Sequence, residues 1–342
     1  LNKVFGIVHY LIKRRHILII YAVMCPALAL TQPFISDKDY VEQLNLNGNL
    51  PEKLLGTRSV VFYSVDFAME ELNQAQRSFQ KTGIDAVAYF PVDMLTSATD
   101  VRKAFADLLQ KREIVNVIFL EKGEKWRIVI TTFNGKDNVI EAKQIAWSAS
   151  NSVWTDVLKV LYRSASSSLK KQNLLINDFP ETEITVNSIL GKRNEFYAVD
   201  TKVDPLGIIK SGDATFDQEL ESLMAANYPF KFKMFEPGTS EKDMRKQGYF
   251  YTLYFLRARG SIARELLEYP ATKSESAIVS ITFPEGQQQL KNIPSNTLVY
   301  KVYLKHIDSQ NVFLGNKWDA DLTWQQALLN HVRGLKFEMR LN

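Results

Sequence analysis

From Ser59 the chain reads SVVFYSV, an unbroken apolar run that predicts a strand buried on both faces. An amphipathic stretch over 67–81 follows and closes at Thr82-Gly83, a helix whose start Asp66 is placed to cap. IDAVAYFPV predicts a second strand. Val101, Phe105 and Leu108-Leu109 then recur at helical spacing within 99–112. VNVIFLEKGEKWRIVITTF predicts a β-hairpin turning at Lys122-Gly123-Glu124, with a further strand over 138–147 and a helix over 153–169. The order is β-α-β-α-β-β-(β)-α.

The pattern then echoes itself. FYAVD at 196–200 matches FYSVD at 62–66, and FDQEL at 216–220 matches FAMEEL at 67–72. DMRK at 243–246 matches DVRK at 100–103, YFL at 254–256 matches IFL at 118–120, and WDAD at 318–321 matches WSAS at 147–150. The expected fold is therefore α/β (α+β), two tandem duplicated domains. The first covers 58–170, a linker covers 171–193, and the second covers 194–342, enlarged around 201–215 and 257–296. Residues 30–57 read as an extended lead-in. YFYTLYFL at 249–256, apolar on both faces, predicts a central strand. RARGSIARELLEYPATKSE at 257–275 reads as a docking element or a solvated hairpin or short helix.

The first residues differ from this globular pattern. Lys13-Arg14-Arg15 precedes an apolar run from Ile17 to Leu30 that ends near Ala27-Leu28-Ala29, the arrangement of a secretory signal peptide over 1–29. The run is shorter than the roughly twenty residues a membrane span needs. Met24 before Cys25 is too large for a lipobox, so no lipid anchor is expected. Lys3, Lys13, Arg14 and Arg15 account for the whole net charge of +4, which leaves 38 cations against 38 carboxylates in the rest. A neutral remainder has no global pull toward nucleic acid or a membrane surface. The single cysteine lies in the leader, so the remainder holds no disulfide. Only His306 and His331 remain there, and their spacing is not that of a helical metal pair. No cofactor or metal is expected.

Three carboxylates are the candidate ligand or partner residues. Asp66 and Asp200 end the FYSVD and FYAVD segments, where an α/β fold gathers ligands. Asp319 opens Asp319-x-Asp321-x-Thr323, spaced like the nucleophile motif of haloacid-dehalogenase-type phosphatases. A phosphatase nucleophile must follow a buried strand, whereas Gly315-Asn316-Lys317 reads as a turn and only nineteen residues precede the last printed residue from Thr323 on. Ser148 and Ser150 stand at the matching places, so a helix start capped by Asp, Ser or Thr323 is the expectation there, with Thr323 and Gln326 forming a capping box. Trp154, Leu158, Leu161 and Ala165 form one helical stripe, and Trp324, Leu328, Val332 and Leu335 another, which places both in the core. No phosphate-binding glycine loop and no nucleophile elbow occurs, so no catalytic residue is assigned.

The element order over 58–170, and less closely over 194–334, resembles the N-terminal domain of TolB and the related curli-secretion and penicillin-binding-protein-activating lipoproteins. The hairpin at 115–133 followed by the Trp154 helix is the most similar part, although KREIVNVIF replaces the family's Gly-Ala-x-x-hydrophobic approach. The resemblance implies an envelope protein that binds other proteins without catalysis, and it transfers no site residue. The expected function is an exported, periplasmic or secreted, non-catalytic interaction or envelope-assembly role with an envelope protein partner. The alternatives are a hydrolase with carboxylates in an inter-domain cleft and a small-ligand receptor.

Overall fold

The computed structural model describes residues 34–341 except 174, 182–183 and 271–275, so the expected signal peptide lies outside the described residues. Gln32–Asn342 forms one compact unit. Its elements confirm an α/β fold built on two larger sheets.

The lead-in is not wholly extended. Ser36 accepts the Asp39 amide and caps α1 (Asp37–Glu42), whose Tyr40 and Val41 are buried. Then come β1 (Arg58–Tyr63), α2 (Met69–Thr82), β2 (Asp85–Pro91), α3 (Val92–Thr96), α4 (Thr99–Lys111), β3 (Ile114–Lys122), β4 (Trp126–Thr132), β5 (Trp147–Asn151) and α5 (Trp154–Ser168). The first sheet has the order β2-β1-β3-β4-β5. β1 lies parallel to β2 and β3, and β4 and β5 are antiparallel additions. The strand expected over 138–147 starts only at Trp147, because Val139 and Lys143 hold positive φ (66° and 64°), which breaks an extended run.

The second half contains β6 (Arg193–Asn194), β7 (Leu206–Ile209), α6 (Ala214–Asn227), β8 (Phe232–Phe235), α7 (Glu241–Lys246), β9 (Tyr251–Arg259), α8 (Gly260–Leu266), β10 (Ala277–Thr282), β11 (Gln289–Pro294), β12 (Leu298–His306), β13 (Val312–Phe313) and α9 (Trp324–Glu338). Its six-stranded sheet has the order β6-β13-β12-β9-β7-β8, and β10 pairs with β11 separately. β9 lies between β12 and β7, as a strand apolar on both faces requires.

The order β2-β1-β3-β4-β5 corresponds to β8-β7-β9-β12-β13 with the same strand directions. Three of the five sequence echoes fall in corresponding elements: FDQEL in α6, DMRK in α7 and YFL in β9. WSAS lies in β5, whereas WDAD lies in no strand and meets β12 only where Asp321 bridges Tyr300. FYAVD does not correspond either. Residues Val199–Lys202 are a 3-10 turn, and the counterpart of β1 is β7, inside the 201–215 segment read as an enlargement. On this correspondence the tandem duplication stands as a proposal.

The halves share apolar packing. Val92, Met94, Leu95 and Ala98 join Leu256, Ala258, Ile262 and Ala263 in one buried cluster. Polar contacts tie the same surfaces. The Arg257 amide donates to the Ser97 carbonyl at 2.9 Å, and Arg259 grips Asp93 through two bonds of 2.6 and 2.8 Å. The Lys305 ammonium lies 2.8 Å from Asp100 and 2.7 Å from Glu241. The face of α2 that carries Leu72, Ala75 and Phe79 packs on the other side of the first sheet with the Trp154 stripe. The insertion read over 257–275 supplies α8, whose Ile262, Ala263 and Leu266 are buried.

Candidate functional site

The strongest concentration of buried charge surrounds Asp319. β12 runs LVYKVYLKH, and its pleat turns Lys301 inward between apolar neighbours, where it is 0 % exposed. The Lys301 Nζ lies 2.6 Å from Asp319 Oδ1 and donates to the Val302 and Leu314 carbonyls at 2.8 and 2.7 Å. The two carbonyls accept two of its protons, and the Asp319 contact is an ion pair in which neither carboxylate oxygen makes a well-formed hydrogen bond among the described residues. α9 brings His331 Nδ1 within 3.4 Å of Asp319 Oδ2, and Tyr197 stands edge-on to that imidazole at 5.0 Å. His331 Nε2 is buried and has no hydrogen-bond partner.

Burial works against the charge on each group. It raises the Asp319 carboxyl, but Lys301 and His331 outweigh it and hold the carboxyl below its ordinary value. Burial pushes the His331 imidazole down, so it is neutral at pH 7, and its Nδ1 lies near Asp319 without a well-formed hydrogen bond among the described residues. Burial pushes the Lys301 ammonium down as well, and the adjacent Asp319 carboxylate opposes that shift.

Asp321 occupies a second buried cluster. Its carboxylate accepts from Lys291 Nζ at 2.6 Å, Thr282 Oγ1 at 2.9 Å and the Leu322 amide at 2.7 Å. Asn330 Nδ2 approaches at 3.3 Å and also donates to the Asp319 carbonyl at 3.2 Å. Burial raises the Asp321 carboxyl, and Lys291 with the surrounding donors carries it below its ordinary value.

These surroundings correct the helix-start reading of the two aspartates. Neither caps α9. Thr323 does, accepting the Gln326 amide at 3.3 Å, while the Gln326 side chain turns to Asn330 instead of closing a capping box. Ser148 and Ser150 lie within β5 and cap nothing; Ser148 donates to the Leu46 carbonyl. Asp66 is also corrected. It is exposed, and α2 is capped from Ala68, whose amide donates to Glu71 at 2.7 Å.

Asp200 is exposed in the turn before β7. Its carbonyl accepts the Val203 and Asp204 amides, and its carboxylate faces the Tyr251 hydroxyl. Burial, with Asp200 and Asp204 adding to it, pushes that phenol up to about 12. Asp66, Asp200 and Asp319 therefore occupy three separate settings and share no partner. Lys301, Lys305 and His331 are the charged or polar groups that sequence reading missed. The signal was present: both lysines sit in a strand otherwise apolar on both faces, and His331 lies on the helical stripe of Leu328 and Leu335.

Both Trp stripes are core. Trp154, Leu158, Leu161 and Ala165 are buried, as are Leu328, Val332 and Leu335 below the half-buried Trp324. Trp318 packs edge-on to Tyr269 at 5.0 Å, beside a shallow groove of about 440 Å³ that Arg264, Lys317 and Glu195 also line. Among the described residues, no group of three or more His, Cys, Asp or Glu is placed to hold a metal, and no helix is long and apolar enough to cross a membrane. No protein-family model matches the chain, and no curated protein matches it.

Proposed function

We propose that this chain is an exported protein of a bacterial envelope that works by binding another protein and not by catalysis. The observation that carries the reading is the state of Asp319. The carboxylate with the best claim to chemistry is paired with a lysine that also donates to two main-chain carbonyls. A nucleophile or general base must reach a substrate atom within hydrogen-bond distance, and Asp319 is 2 % exposed. The alternatives, a hydrolase and a clamp-like receptor, both need an open cleft between the halves. Leu95, Ala98, Leu256 and Ala258 fill the contact there instead.

Crosslinking in the envelope fraction of the native host tests the interaction. A reproducible partner supports it, and repeated absence of any crosslinked product sinks it. Export is read from the amino terminus of the protein purified from that host. An intact leader in a cytoplasmic fraction overturns that part. Assay of Asp319→Asn beside wild type on phosphoester and glycoside panels addresses the hydrolase; a wild-type activity lost in the variant would replace the interaction reading.

A further inference from the structure

The interaction reading leaves open where a partner docks, and the edges of the two larger sheets differ in that respect. β2 carries residues 177–181 on its outer side, where the Glu181 amide donates to the Val87 carbonyl. β5 is met at its start by residues 45–48 through Asn45, Ala146 and Gly48. β6 is two residues long. β8 is the four-residue edge beyond β7, and among the described residues nothing bonds its outer side.

The register says which groups that edge offers. The Leu206 amide donates to the Lys231 carbonyl and the Lys210 amide to the Phe235 carbonyl, with Leu206 opposite Phe232. In a parallel ladder alternate residues face the neighbour. Lys231, Lys233 and Phe235 therefore face β7, and Phe232 and Met234 direct their amides and carbonyls outward.

Three exposed lysines border this edge, Lys202, Lys231 and Lys233, and none forms an ion pair among the described residues. Lys233 leans on the Phe235 ring at 4.7 Å and donates to Gln247. A groove of about 350 Å³ opens at the start of the strand, lined by Lys202, Val203, Pro205, Phe230 and Lys231, with no carboxylate in its wall. Of the nearby acids, Glu236 is held by Lys210 at 2.6 Å, Glu221 and Asp217 also act on Lys210, and Asp200 and Asp204 act on Tyr251 on the β9 side.

We infer that β8 is a docking edge that takes an extended acidic segment of a partner protein as an added strand; this rests on the interaction reading above. Strand addition gains affinity from main-chain bonds, here through Phe232 and Met234, and specificity from the side chains flanking them. Charge selects the occupant. The chain's own leader carries Lys3, Lys13, Arg14 and Arg15 and no acid, so the lysines repel it. A second copy pairing edge to edge would set the same lysines against each other. Edge lysines also deter indiscriminate pairing, and an acidic strand is the partner for which that barrier becomes an attraction.

The test uses a fluorescein-labelled octapeptide of alternating Glu and Val, its Lys–Val counterpart, and the full chain. The Glu–Val peptide is expected to bind saturably by anisotropy, to weaken with salt, and to protect the Phe232 and Met234 amides from hydrogen exchange. Met234→Pro removes an outward donor and leaves the bonds to β7, so affinity should fall about tenfold or more. Lys231→Glu with Lys233→Glu, which leaves the backbone unchanged, should weaken binding comparably and serves if the proline variant does not fold. The inference is overturned by no saturable binding, by equal binding of the Lys–Val peptide, or by unchanged affinity in both variants. A wild-type dimer dissolved by Met234→Pro would also overturn it, making a second copy the occupant. If the envelope partner still crosslinks to Met234→Pro, the interaction reading stands and the docking edge falls; if wild type crosslinks to nothing, the interaction reading itself falls.

Discussion

A lysine with no exposed surface is a liability unless its charge is matched, and Lys301 lies against the Asp319 carboxylate and donates to two carbonyls. Removing one partner leaves the other charge buried and alone. Lys301→Met should therefore cost about 3–5 kcal/mol in urea unfolding, and pairing it with Asp319→Leu should recover much of the loss. Additive losses in the double variant would show that the two groups do not act as a pair. His331 adds a pH dependence. Burial depresses its folded pKa below its ordinary value of 6.5. As pH falls below about 6.5 the unfolded chain takes up a proton that the folded chain refuses, so stability falls toward acid. The slope contributed approaches about 1.4 kcal/mol per pH unit until the depressed folded pKa is reached. Asp319 and Lys301 face the imidazole; the Asp319 carboxyl is held below its ordinary value and stays ionised through this window, while burial lowers the Lys301 ammonium. His331→Gln should flatten the curve between pH 7 and 5 relative to wild type. A parallel curve would count against the assignment.

At the scale of elements, α9 is shaped by a glycine in its interior. A methyl group on Gly334 would collide with the Tyr197 hydroxyl, which packs against the helix there. Gly334→Ala ordinarily gains up to about 1 kcal/mol in a helix. Here it should lose about 1–3 kcal/mol through overpacking, read as a lower melting temperature. An unchanged or raised melting temperature would show that Tyr197 yields. Sequence reading located most of the framework because the strong signals were periodic: β1, β2, α4, the β3–β4 hairpin, α5 and β9 all bury continuous apolar faces. It missed α1, α3 and β7, which are four to six residues long and too short to show a period. FYAVD misled because its resemblance to FYSVD is one of composition. Val199 and Asp200 lie in a 3-10 turn, and the strand starts at Leu206. The Asp319 cluster was illegible for another reason. A buried ion pair joins β12, the segment before α9, and α9 itself, and no local pattern links residues thirty positions apart.

At the scale of the molecule, the halves meet through helices α3 and α4 on one side and β9, α7, α8 and β12 on the other. Leu95 is 0 % exposed within the apolar cluster that both halves share. Asp93 with Arg259, and Asp100 with Lys305, place paired charges in the same contact. Separating the halves would expose that cluster and strip buried ions of partners, so local opening of one half carries most of the cost of global unfolding. The chain should therefore unfold in one transition, with calorimetric and van't Hoff enthalpies equal. Leu95→Ala sharpens the test. A cavity at the contact should cost about 2–5 kcal/mol, and the loss should register equally in both halves. Trp126 and Trp154 report on the first sheet, and Trp318 and Trp324 on the second half. Variants retaining only one of these indoles should show the same urea midpoint, and Leu95→Ala should lower all of them together. If only the first-half reporters shift, the halves are independent domains, and the shared cluster does not couple them.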